Sequence, residues 1–126
     1  MNRDLSLDIL QKLANIKNVL NNVVVLAKVL TREKPVIISQ PENYVGPVGE
    51  NAIFTVIAEN VSSYQWETKK KTSEQWGNSA APGNKTKSLS RTISDTSVTY
   101  EYRCKITGID NSIIYSDIVD ITIEEE

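Results

Sequence analysis

At Pro35 the hydrophobic period changes from that of a helix to that of a strand, and one regular element cannot serve both periods. Before it, Ile9, Leu13, Ile16, Leu20, Val23, Ala27 and Leu30 are spaced 4-3-4-3-4-3. That spacing is a heptad seam, with Leu13, Leu20 and Ala27 at a and Ile9, Ile16, Val23 and Leu30 at d. Asp4 or Ser6 offers a short side-chain oxygen to cap the helix start. Asp8 sits favourably in the first turn. Pro35 closes the helix, because the residue before a proline is pushed out of the α region. Two fates are open to such a helix: lying on the chain's own sandwich, or self-association. Leu10, Val19, Val24 and Leu26 widen the apolar face and serve either. A seam sustained for about three heptads favours a homo-oligomer through residues 5–30. Leucine at a with isoleucine at d shifts preference from dimers to higher states, so a parallel trimer is the first expectation. Lys12 and Val19 at g and Lys17 at e supply no full set of ion pairs, so the helix alone should associate only modestly.

After Pro35 the chain reads as short strands between turn residues. Val36–Ser39 precedes the Pro/Gly-punctuated stretch QPENYVGPVGE. Residues 51–59 alternate Ile53, Thr55 and Ile57 against Phe54, Val56 and Ala58. Further strands are expected at 63–68, from 75–76, at 86–94, at 98–107 and over 113–123, with residues 81–85 a loop. Seven or eight short strands with turns every 8–12 residues predict an antiparallel β-sandwich after one helix. The domains are then residues 1–34 and 35–126.

The stretch YEYRCKIT, residues 100–107, places a cysteine inside a strand, and the chain has no second cysteine. Trp66 lies in YQWE, ten residues after Val56, and Tyr102 lies two residues before Cys104. With these residues the chain, over about Pro35–Ile123, resembles an immunoglobulin-like domain of the disulfide-free kind found in bacterial surface proteins and tailed-phage virions. The resemblance implies that Trp66 is the core tryptophan of the third strand, Cys104 the late-strand cysteine and Tyr102 the tyrosine-corner position. Val56 then stands at or near the place of the early-strand cysteine. The turn before Tyr102 departs from the usual Asp-x-Gly pattern: Asp95 lies too early and Tyr100 takes the glycine place. An unbridged Cys104 acts as a small hydrophobe. Burial of Phe54, Val56, Trp66, Leu89, Ile93, Ile106 and Ile121 must then offset the missing bridge. One buried large side chain contributes about 1.5–3 kcal/mol, and a bridge typically about 2–4 kcal/mol.

Composition removes most chemistry. The chain has no histidine and one cysteine, so the commonest general base and metal ligand is missing and a disulfide framework is excluded. The five glycines form no phosphate loop. Residues 1–34 carry six Lys/Arg against three acids and the remainder eight against thirteen, too little basic charge for nucleic acid. The apolar run Val23–Ala27 is too short to cross a membrane. It lacks the basic flank of a secretory signal, so the first thirty residues read as retained structure. Asp110, Asp117, Asp120 and Glu124–Glu126 match no calcium loop and read as a solvated acidic edge. Lys69–Lys71 read as a charged hairpin tip. Asn60-Val61-Ser62 and Asn84-Lys85-Thr86 match the glycosylation acceptor pattern, and without a secretory signal read as chance. Trp76 has two readings: packing on the sandwich, or an exposed platform for stacking sugar, a candidate glycan contact.

The resemblance, the helix and the reduced cysteine together point to a non-enzymatic phage virion protein without cofactor or metal. It would serve as head decoration or as a fibre-like subunit, folded in the bacterial cytoplasm. The helix assembles copies into a larger virion assembly and the immunoglobulin-like domain is displayed, with weak adhesion to cell-surface glycans multiplied by copy number. The alternatives are an adhesin module on the bacterial cell surface and a carbohydrate-binding accessory domain. No nucleic acid or membrane is expected as a partner.

Overall fold

A computed structural model describes residues 2–30 and 33–125 and, within the helix, the side chains of residues 6–23. The chain divides into two compact units, Met1–Arg32 and Glu33–Glu126. The first holds α1, Asn2–Leu30, roughly 44 Å long at 1.5 Å per residue. It begins earlier than the caps proposed from sequence, so Asp4 and Ser6 lie inside the helix. Asp8 pairs with Lys12 one turn on, at 3.1 Å. The seam residues Ile9, Leu13, Ile16, Leu20 and Val23 are each 50–59% exposed. Ala27 and Leu30 of the expected seam lie outside the described side chains. No helix among the described residues is long and apolar enough to cross a membrane.

The second unit is built from ten short strands: β1 Val36–Ser39, β2 Tyr44–Gly46, β3 Asn51–Thr55, β4 Ile57–Glu59, β5 Val61–Lys70, β6 Gly77–Asn78, β7 Ser88–Thr92, β8 Tyr100–Gly108, β9 Ile113–Tyr115 and β10 Val119–Ile123. One layer consists of two antiparallel pairs, β1 with β4 and β3 with β7. The other runs β2-β10-β8-β5-β6, with β9 also on β8. Between them lies the core of Ala52, Phe54, Val56, Trp66, Leu89, Ile93, Tyr102, Cys104, Ile106, Val119 and Ile121. Alternation puts it there: β3 buries Ala52 and Phe54, and β8 buries Tyr102, Cys104 and Ile106, while their neighbours turn outward.

Several boundaries differ from the sequence reading, each for a local reason. Residues 44–46 lie in the stretch read as turn, yet they form β2, parallel to β10 with Tyr44 opposite Ile121. Three residues between Pro41 and Pro47 carry too little alternation to show. The expected strand 51–59 breaks at Val56, whose N–H turns to the Lys87 carbonyl (3.0 Å) while β3 pairs β7 and β4 pairs β1. The expected strand 113–123 breaks at residues 116–118. There Ser116 donates its N–H to the Cys104 carbonyl and its hydroxyl accepts the Cys104 N–H at 2.8 Å. Strand β6 is Gly77–Asn78 rather than 75–76, and a 3₁₀ turn, Ser97–Thr99, delays β8 to Tyr100.

Candidate functional site

Trp66 and Cys104 face one another across the β5–β8 ladder. Both are fully buried, as is Val56, and Cys104 is unpaired. Burial pushes its thiol up to about 12, so a thiolate nucleophile does not form there at neutral pH. Trp66 donates its indole N–H to the Thr86 carbonyl at 2.8 Å, and its ring lies 6.3 Å from that of Phe54. Tyr102 donates its hydroxyl to the Ser97 carbonyl at 2.9 Å. The corner therefore forms despite the missing Asp-x-Gly. In its place Ser94 and Ser97 brace the turn, each hydroxyl accepting the other residue's backbone N–H at 2.8 and 3.0 Å.

The six-stranded sheet carries a different chemistry on its outer face. Residues opposite the buried set project there: Glu67 and Lys69 from β5, Glu101, Arg103 and Lys105 from β8, and Ile113 and Tyr115 from β9. The Arg103 guanidinium lies 4.2 Å from the Trp76 ring centroid and 4.1 Å from that of Tyr115. Its Nε donates to Glu67 at 2.8 Å. Lys69 donates to Glu101 at 2.8 Å and stands 5.5 Å from the Trp76 centroid. Trp76 is therefore half-buried on the sheet face, outside the core, and presents a ligand only the surface its cations leave. Tyr115 and Ile113 remain exposed beside it. Fixed aromatic and arginine side chains of this kind act as anchors in protein recognition, because little rotamer freedom is lost on binding.

The remaining sequence candidates separate. Lys69 and Lys70 belong to β5 rather than to a tip, and Lys71 pairs with Asp120 at 3.3 Å. Asp110 accepts from the Ser112 hydroxyl at 2.7 Å and from its N–H, and these bonds hold its carboxyl below the usual range. No group of three or more metal-ligating side chains occurs among the described residues. The Asn60 amide donates to Glu33 and to the Lys34 carbonyl, and the Asn84 amide to the Ser79 carbonyl at 2.7 Å. Both acceptor-pattern amides are thus engaged in the fold. The sequence reading missed Arg103, Glu67 and Tyr115. Their meeting depends on the register of strands far apart in the chain, and the only linear trace is alternation of charged and aromatic residues with the core set.

No protein-family model and no curated protein matches the chain. Among solved structures, Dpr1 IG1, crystallised bound to DIP-eta IG1, superposes with a TM-score of 0.50 at 15% identity, covering 74% of this chain and 98% of that one. A chimeric titin Z1Z2 bearing a KLER peptide from decorin gives a TM-score of 0.50 at 8% identity, covering 73% and 96%. Identities this low speak for fold alone, and the fold is an immunoglobulin-like sandwich preceded by one helix.

Proposed function

We propose that the chain is a non-enzymatic assembly and display subunit of a virion, in which the helix gathers copies and the immunoglobulin-like domain meets a partner through the Arg103 face. The observation that carries this reading is the exposed seam of the helix. A heptad seam left half or more exposed along its described length loses the burial that stabilises most protein helices. Matching seams on other copies restore it. The sandwich needs no such help, since its core is closed without a bridge. The Dpr1 domain was crystallised with a second immunoglobulin domain. We assign the same general task of protein binding here, without its partner. A cysteine sealed as a thiol fits folding in a reducing cytoplasm before assembly.

An antibody against residues 35–126, applied to particles, cell wall and cytosol of the producing strain, tests the assignment. Signal on purified particles is expected. Signal confined to the wall would replace this reading with the bacterial-surface adhesin.

A further inference from the structure

A second feature lies away from the Arg103 face. An open cleft of about 540 Å³ is lined by the β3 and β7 ends, Thr68, the loop at residues 79–82 and two tyrosines. Its volume is in the range of small-molecule sites. Arg91 lies in it, partly buried. Two arginines have described side chains. Arg103 is paired with Glu67, whereas Arg91 has no carboxylate partner among the described residues. A partly buried cation without a counter-charge among the described residues leaves room for an anionic ligand.

The guanidinium is also held in place. Its Nε donates to the Tyr102 hydroxyl at 3.3 Å, and that hydroxyl is fixed by Ser97. This leaves the two terminal nitrogens as a fork, the geometry that grips a carboxylate through two parallel hydrogen bonds. Around it Asn51, Ser90 and Tyr100 line the same cleft. These are neutral donors and acceptors suited to a polyhydroxylated ligand. Three of the backbone N–H groups around the cleft are already taken. The Ser79 N–H goes to the Trp66 carbonyl, the Ala81 N–H to the Ser79 hydroxyl and the Ser90 N–H to the Pro82 carbonyl.

We infer that the Arg91 cleft binds the carboxylate-bearing sugar of an acidic saccharide. This goes beyond the reading above, which gives the Arg103 face to a protein partner, by adding a second surface and its ligand class. Its test uses soluble ligands, so failure of virion display leaves it standing, and its own failure leaves display standing.

The full chain, labelled with ¹⁵N, is titrated with a glucuronic-acid disaccharide, its neutral glucose counterpart and N-acetylglutamate amide, following the Arg91 Nε–Hε signal. The acidic disaccharide is expected to shift that signal and to bind at least about tenfold more tightly than the neutral one, since loss of the carboxylate leaves the fork unpaired. Arg91→Gln is expected to lower the affinity at least about tenfold, with Arg103→Gln unchanged. If Arg91→Gln does not fold, Arg91→Lys keeps the charge but not the fork, and weaker binding is again expected. An unmoved Arg91 signal, equal binding of the neutral disaccharide, or undiminished binding by the Arg91 variant overturns the inference. Equal affinity for N-acetylglutamate amide overturns the saccharide assignment as well, because the cleft then reads a carboxylate alone.

Discussion

Cys104 stands where a bridged sandwich carries half of its disulfide, and here it is a free thiol, beside Trp66 in the sheet and in one core with Val56. The consequence is measurable. A thiol reagent is expected to label Cys104 slowly in native protein and fast in denaturant; equal rates would contradict its burial. An acid whose folded pKa is raised binds its proton more tightly in the folded state. The contribution of the buried thiol is thus whole below its ordinary value near 9 and is lost as pH rises toward about 12. Tyr102, raised chiefly by burial, acts in the same direction. The urea midpoint of the wild type is therefore expected to fall over that range, and to fall less in Cys104→Ala. Trp66→Ala removes the largest buried side chain and is expected to cost about 3–5 kcal/mol. Tyr102→Phe leaves the Ser97 carbonyl without its donor and is expected to cost about 1–3 kcal/mol. Both are read from chemical denaturation, and a neutral Trp66→Ala would contradict the core assignment.

At the scale of elements, what was legible in the sequence is what depends on period. The helix before Pro35 and the inward set of β3 and β8 are readable because side chains repeat every 3.6 or every two residues. The strand that escaped, β2, has three residues, too few for a period to register; β6, expected from 75–76, has two and begins at Gly77. The tyrosine corner shows a different limit. Its linear signature is broken, yet the geometry survives because Ser94 and Ser97 supply the turn's hydrogen bonds. The Arg103 cluster was invisible since it joins β5, β8, β9 and the residue before β6. The Arg91 cleft likewise joins β3, β7 and the loop at 79–82. That loop is itself specified at Gly83, which sits at φ +82°, where an added Cβ would run into the Ser88 carbonyl. Gly83→Ala is expected to destabilise by more than about 1 kcal/mol, seen as a lowered urea midpoint; an unchanged midpoint would mean that the loop relaxes freely.

At the scale of the whole molecule, the two units differ in what they bury. Residues 33–126 enclose their own apolar core, whereas α1 leaves Leu7, Ile9, Leu10, Leu13, Ile16, Val19, Leu20 and Val23 exposed. Substituting Leu13→Asp and Leu20→Asp together places charges at two a positions. It is expected to abolish association without changing the urea midpoint of the sandwich, which takes no stability from those side chains in this account. The central claim, that the helix assembles copies and the sandwich is self-sufficient, is tested most directly by sedimentation velocity over a concentration series. The full chain and a chain of residues 35–126 are compared. The account predicts a reversible trimer for the full chain and a folded monomer for the shorter one. A full chain that stays monomeric at the highest concentrations, sedimenting as one molecule with or without the double substitution, would contradict it.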